Sequence, residues 1–271
     1  MPVSPATFEW IRDLLAQRAG NALSEDKGYL VETRLASVIA TSGATDIDAL
    51  VERLRAEPDR EIERQIVEAM LTHESSFFRD KSTFDLLATT LLPELIEKRR
   101  DCHKITIWSA ACAAGQEPCS IAMLIAEEFP RLADWNVPII ATDFSRKTLA
   151  QARTGSYTEA QTRRGLTPER KRRFFREAGN RWQISERLLA SIKYSQINLC
   201  DEQPPLPQFD LILLRNVLIY LTEDARQQVQ AEVARVLAPN GVLILGATES
   251  LESSLFRRER RLNAPCYRLA R

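Results

Sequence analysis

From Ser4 to about Leu71 the apolar residues recur every three or four positions and never alternate, a pattern that predicts helix after helix. Ser4 before Pro5 reads as an N-cap with proline in the first turn, and Phe8, Ile11 and Leu15 follow at helical spacing until Gly20. A second helix starts at Ser24, carries Leu30, Leu35, Val38 and Ile39, and stops near Gly43. Two shorter ones are expected around 47–54 and 62–71.

From residue 105 the rhythm changes to short apolar runs alternating with helical segments. Strands are expected at 105–108, 137–141, 192–197, 209–214, 242–246 and 266–269, with helices at 118–128, 145–152 and 222–237. Pro239-Asn240-Gly241 reads as the turn joining the last helix to a strand. The fold class is therefore α/β: a small all-α domain over 1–72, a linker and leading helix over 73–104, and a mostly parallel sheet with helices on both faces over 105–271.

Composition narrows this further. A chain of 271 residues, 44% hydrophobic and 27% charged, buries a full core and favours two domains over one. No run approaches a membrane span and the first residues do not read as an export signal, so a cytoplasmic protein is expected, with no direct membrane insertion and no nucleic-acid partner. Five cysteines without a C-x-x-C pair, and only His73 and His103 as histidines, point to reduced thiols and no metal. The neutral total hides an asymmetry: residues 1–72 hold 8 Lys and Arg against 13 Asp and Glu, a net of −5, and residues 146–181 hold 11 against 3, a net of +8. The second segment suits an anionic contact or a solvated helix face.

The stretch "IWSAACAAGQEP" (107–118) opens like the nucleotide loop of a doubly wound sheet but has no Gly-x-Gly-x-x-Gly; Gly115 is its only glycine. In an open parallel sheet, ligands lie beyond the carboxyl ends of the strands, which brings Ser109–Glu117, Asp143, Asn198 and Asn216 to one crevice. Asp143, just past the second strand, is placed either to accept both hydroxyls of a ribose or to cap a helix. Glu117, at a helix start, is available to an amino group. A ligand with ribose, adenine and an amino acid tail but no phosphates suits such a loop, and S-adenosylmethionine has that shape.

"HESSFFRD" (73–80), "WSAACAAGQEPCSIAML" (108–124), "ATDFS" (141–145), "INL" (197–199), "FDLILLRNVLIYL" (209–221) and "NGVLILGATES" (240–250) resemble, in order and spacing, the chemotaxis receptor methyltransferases of the CheR type. The resemblance extends to the helical part through "YLVETRL" (29–35). It implies a Rossmann-like S-adenosylmethionine-dependent methyltransferase domain bearing a small antiparallel β-subdomain, here an insertion at about 153–190. It also implies methylation of glutamate side chains on the cytoplasmic methylation helices of a chemoreceptor by a monomer, with S-adenosylhomocysteine as product. Residue by residue it assigns the ribose to Asp143 and the methionine amino group to Glu117. Asn198, Leu199, Asn216 and Val217 would form the adenine side and the adjacent wall. Ala111 and Phe144 would line the cofactor, and His73 and Ser75 would close over it. Arg79 and Tyr220 would face the reacting centre, with Arg79 also touching cofactor. A glutamate is already ionised at neutral pH, so the reaction calls for orientation and dehydration rather than a general base.

Two features depart from the family pattern. His73-Glu74-Ser75 stands where Asn-Glu-Thr is usual, which retains the hydroxyl and introduces a titratable ring, making cofactor binding sensitive to pH. "REAGNRWQIS" (176–185) is short where relatives that dock on a receptor's C-terminal pentapeptide carry a longer loop. Recognition independent of that peptide is expected, with the basic run 163–176 as receptor contact. A non-catalytic module that senses S-adenosylmethionine or S-adenosylhomocysteine, and a small-molecule methyltransferase, are the other readings; the retained Arg79 and Tyr220 speak against the first, and the absence of Asp/Asn-Pro-Pro-Tyr against the second.

Overall fold

The computed structural model describes residues 3–202, 204–259 and 264–270, which cluster into two units. The first comprises residues 3–72 with Leu199–Glu202 and Ile219–Val229. Its helices are α1 (Pro5–Ala19), α2 (Gly28–Ser42), α3 (Ile47–Ala56) and α4 (Arg60–Met70). Ser4 caps α1 by accepting the Thr7 N–H, and Gly20 ends it in the left-handed region (φ 60°), as its sequence signals predict. Asp46 and Asp59 cap α3 and α4 in the same way. The second helix begins later than expected, since Glu25–Lys27 form a 3₁₀ turn ahead of it. Ile11, Leu15, Val31, Leu35, Leu50 and Ile66 are fully buried and make the core of this unit.

The second unit opens with α5 (Lys81–Leu86), a π-turn at Leu87–Leu91 and α6 (Leu92–Lys98). Then follow β1 (Ile107–Ala110), α7 (Gln116–Glu128), β2 (Ile139–Asp143), α8 (Arg146–Thr154), β3 (Ser156–Thr158), α9 (Glu159–Arg163), α10 (Pro168–Phe174), β4 (Phe175–Ala178), β5 (Arg181–Ile184), α11 (Glu186–Ala190), β6 (Ile192–Gln196), β7 (Phe209–Leu214), α12 (Glu223–Val236), β8 (Leu237–Leu245), β9 (Phe256–Arg258) and β10 (Cys266–Leu269). The residues of α12 as far as Val229 cluster with the first unit.

Seven strands form one sheet in the order β6-β2-β1-β7-β8-β10-β9, parallel from β6 to β8 and antiparallel at β10 and β9. All residues of β1 and β7 are buried, as strands covered on both faces must be. Trp108 stacks on Phe209 with ring centres 5.1 Å apart and donates its indole N–H to Thr142. The expected turn at Pro239-Asn240-Gly241 is instead a bulge inside one long strand: Phe209 pairs Leu237 and Leu211 pairs Val242, so the extra β8 residues loop out without breaking the pairing. Gly241 permits this, since a Cβ there would meet the carbonyl oxygens of Ala238 and Phe209 at 2.9 Å.

The insertion between α8 and β6 carries a second sheet, antiparallel, in the order β3-β5-β4. Gly179 (φ 63°) and Asn180 make the two-residue hairpin between β4 and β5.

Candidate active site

Because β6, β2, β1 and β7 are parallel neighbours, their carboxyl ends fall in line: Ala110 pairs both Thr142 and Leu214, and Asp143 pairs Gln196. The segments that follow these strands, residues 111–117, 143–145, 197–198 and 215–217, meet at that edge of the second unit.

The loop after β1 alternates in hand, with Ala111 (φ 55°), Ala113 (φ 48°) and Gly115 (φ 87°) all left-handed. Two of these are alanines, for which the conformation costs about 1–2 kcal/mol each, so outside bonds must hold them. Cys112 N–H donates to the Thr142 carbonyl at 2.8 Å and Ala113 N–H donates to Asp143 Oδ2 at 2.9 Å. Gly115 has no room for a side chain, its Cβ position lying 2.9 Å from the Tyr194 hydroxyl. Burial pushes the Cys112 thiol far above its usual range, with the charges of Asp143 and Glu117 adding to the effect, so it is no nucleophile at neutral pH.

Asp143 is buried. Its Oδ1 accepts from Ser145 N–H at 2.9 Å and from the Thr148 hydroxyl at 3.3 Å, and lies 3.8 Å from His73 Nδ1. The side chain that caps α8 is Ser145, not Asp143. Phe144 is half-buried and its carbonyl accepts from Gln196; Asn198 and Ser75 are half-buried on the same unit.

The linker residue Arg79 stands between two left-handed neighbours, Phe78 (φ 46°) and Asp80 (φ 59°). Phe78 N–H is held by Ser120 Oγ at 2.9 Å. The Arg79 guanidinium donates to the Glu74 carbonyl at 3.2 Å and forms no salt bridge among the described residues. Asp80 pairs not with its neighbour but with Arg215, 2.8 Å away. Arg215, whose side chain is 2% exposed, also donates to Glu117 at 2.7 Å and to the Arg79 carbonyl at 2.6 Å. The other oxygen of Glu117 accepts from the Ser109 hydroxyl at 2.7 Å. Arg215 was not anticipated as a site residue, although it directly follows the apolar run Leu211–Leu214, where a charge is a signal in itself.

A second unanticipated residue organises the loop after β7. Buried Glu249 accepts the backbone N–H groups of Asn216 (2.6 Å), Val217 (3.0 Å) and Gly246 (2.8 Å), fixing Asn216 in a left-handed conformation (φ 58°). Leu199 and Tyr220, in contrast, cluster with the first unit, where the Tyr220 carbonyl accepts the Ala22 N–H at 2.8 Å.

The inserted subdomain grips the linker. A Cβ on Gly165 (φ 92°) would lie 1.7 Å from the Phe77 carbonyl oxygen. Arg164 pairs with Glu74 at 2.7 Å, the Arg170 guanidinium sits 3.8 Å from the centre of the Phe78 ring, and Phe77 packs edge-on against Tyr157 and Phe175.

Much of the basic excess at 146–181 is already matched. Arg164, Arg170 and Arg176 pair with Glu74, Glu127 and Glu186 outside the segment, and Arg163, Lys171 and Arg172 with acids inside it. In the first unit Arg34 donates to the Met70 carbonyl.

Residues 73–266 match the family description "CheR methyltransferase, SAM binding domain", and residues 6–71 match "CheR methyltransferase, all-alpha domain". The chain belongs to the CheR methyltransferase family. It is 36% identical over 249 residues to a chemotaxis protein methyltransferase, Cher2, of Pseudomonas putida, covering 90% of each chain. It is 36% identical over 257 residues to chemotaxis protein methyltransferase 1 of Pseudomonas aeruginosa, covering 93% of each. A chemotaxis protein methyltransferase of Vibrio parahaemolyticus is 38% identical over 252 residues, covering 92% of this chain and 90% of that one. The CheR family membership and the all-α plus methyltransferase fold expected from the motifs thus hold, and the second unit carries an S-adenosylmethionine-binding methyltransferase domain. Among the described residues of this CheR protein, no group of three or more His, Cys, Asp and Glu is arranged to hold a metal ion, and no helix is long and apolar enough to cross a membrane.

Proposed function

We propose that the protein transfers the methyl group of S-adenosylmethionine to glutamate carboxylates on the cytoplasmic methylation helices of a chemoreceptor, in chemotaxis signalling, without requiring the receptor's C-terminal pentapeptide. The observation that carries this is Arg79: its backbone is fixed on both sides while, among the described residues, its guanidinium donates to one carbonyl and forms no salt bridge, leaving the fork for an incoming carboxylate.

The residues fit the cofactor. Asp80 and Glu117 share one guanidinium, leaving one net negative charge where the methionine ammonium would sit. Gln116 Oε1 and Arg215 Nε are buried side-chain atoms with no partner among the described residues, an acceptor and a donor that match in sign the two ends of an amino acid. Asp143 retains lone pairs for ribose hydroxyls beyond its bonds to Ala113, Ser145 and Thr148. Asn198, Asn216 and Val217, with Ala111 and Phe144, would wall the adenine, and His73 and Ser75 would cover it.

When bound, S-adenosylmethionine supplies a methyl carbon activated by a sulfonium centre. The substrate carboxylate is ionised at neutral pH, so the chain's task is to strip its water and hold one oxygen in line with the S–CH₃ bond. Transfer to an ionised carboxylate would give a methyl ester and S-adenosylhomocysteine, and the chain would have no proton to move. Arg79 orients the carboxylate. Orientation of this kind is worth about 7–11 kcal/mol in favourable systems.

The short β4 edge and two-residue hairpin leave little to pair with and no loop to grip a peptide terminus, which supports recognition of the receptor at its helices. The test is transfer of labelled methyl to receptor-bearing membranes, recovered as a base-labile ester. Label that appears only on small molecules, or not at all, would refute the assignment.

A further inference from the structure

We propose that Arg215 is the positioning residue that couples the cofactor end of the site to its substrate end, setting Glu117 and the Arg79 backbone together through one guanidinium. The proposal rests on the roles given above to Glu117 and Arg79.

Three motifs far apart in the chain converge on this side chain: "FFRD", "GQEP" and "RNVLIY". One nitrogen, Nη1, reaches Glu117; the other, Nη2, reaches both Asp80 and the Arg79 carbonyl, all within 2.6–2.8 Å. A planar fork can serve acceptors on two sides at fixed angles, whereas a lysine ammonium is a single point that cannot reach both. The bond to the Arg79 carbonyl has a further use. Phe78 and Asp80 are left-handed non-glycine residues, a conformation that persists only where the surroundings over-determine it. Arg215 supplies that restraint on the Asp80 side, as Ser120 does on the Phe78 side. Glu117 in turn is held by Arg215 on one oxygen and Ser109 on the other, so its orientation toward an ammonium depends on the same guanidinium.

Arg215 thus acts on binding through Glu117 and on turnover through Arg79, a split that fold stabilisation alone does not produce. The experiment uses the full chain and S-adenosylhomocysteine as probe, with titration calorimetry on wild type, Arg215→Lys, Glu117→Gln and the double variant. Arg215→Lys and Glu117→Gln should each weaken binding about tenfold or more, and the double variant should be within about threefold of the weaker single, because the two act as one unit. Turnover on receptor-bearing membranes at saturating cofactor should fall about tenfold or more in Arg215→Lys, and by less than about threefold when the same change is made in an Arg79→Ala background. Where Arg215→Lys melts well below wild type, Asp80→Asn replaces it for the turnover arm: at saturating cofactor it should lower turnover about tenfold or more, and by less than about threefold in an Arg79→Ala background. Unchanged affinity and turnover in Arg215→Lys, or losses that multiply in the double variants, overturn the proposal. A wild-type chain that does not bind S-adenosylhomocysteine overturns the cofactor reading beneath it; one that binds but does not methylate overturns the substrate reading, while the binding cycle still decides the Glu117 half.

Discussion

Asp143 accepts the Ala113 N–H at 2.9 Å, so the carboxylate at the end of β2 holds in place the loop at the end of β1. That loop has two alanines in a conformation they resist, and this bond holds it together with the one from Cys112 N–H to the Thr142 carbonyl. Asp143 therefore has two uses, as a scaffold for the loop and, in the proposed function, as the ribose acceptor.

Asp143→Ala should show both. Orphaning the buried Ala113 and Ser145 N–H groups should lower stability by about 1–3 kcal/mol for each, and losing the ribose bonds should weaken S-adenosylhomocysteine binding by about 1.5–3 kcal/mol. Denaturant unfolding and titration calorimetry measure the two separately. Lower stability with unchanged affinity would leave Asp143 as scaffold only.

Arg79→Ala should spare binding and cost chemistry. Among the described residues its guanidinium has a single hydrogen bond to lose, to the Glu74 carbonyl, so S-adenosylhomocysteine affinity should stay within about threefold while methyl transfer falls by about two orders of magnitude, roughly 3 kcal/mol of transition-state stabilisation. Single-turnover assays with saturating cofactor check this; near-normal transfer would make Arg79 a structural residue.

For receptor contact, Arg172 and Arg173 are the informative pair. Arg172 reaches Glu169 only at 3.5 Å and Arg173 lies over the Phe174 ring, whereas neighbouring Arg170 and Lys171 are tied to carboxylates. Reversing both to Glu should reduce membrane methylation at low salt, with a smaller difference at high salt, and leave cofactor affinity unchanged. Tight, salt-insensitive binding of an isolated receptor C-terminal pentapeptide to the wild type would instead place recognition at the small sheet.

Stability should decline in alkali. Burial raises the Cys119 and Cys200 thiols from an ordinary value of 9.0 to about 11, and Cys266 to about 12. Above pH 9 the unfolded chain gives up these protons while the folded chain keeps them, so unfolding gains ground until the folded thiols themselves ionise. The melting temperature should fall steadily from pH 9 to about 11, and Cys119→Ser, which cannot ionise there, should fall less steeply. A flat profile over that range would count against buried thiols.

Local signals were the legible ones. Ser4, Pro5 and Gly20 delimit α1, apolar runs locate the parallel strands, and the place of Asp143 at the carboxyl end of β2 follows from strand order alone. What the sequence could not show were bonds between distant residues: Arg215 lies 98 positions from Glu117 and 135 from Asp80, and no period or cap signal reports such a pair. Pairing also explains why the charge count at 146–181 overstated its free basicity, since Glu74, Glu127 and Glu186 come to it from elsewhere. Asn240-Gly241 has the letters of a turn, and only the continued pairing of β7 with β8 makes it a bulge.

The contact of Gly165 with the Phe77 carbonyl bears on how such enzymes can diversify. A surface module is free to change only if nothing else leans on it. Here the insertion is a wall of the segment that presents Arg79, through Gly165, Arg164 and Arg170. Grafting residues 153–190 from a relative would therefore replace a surface module together with the mould for residues 73–80.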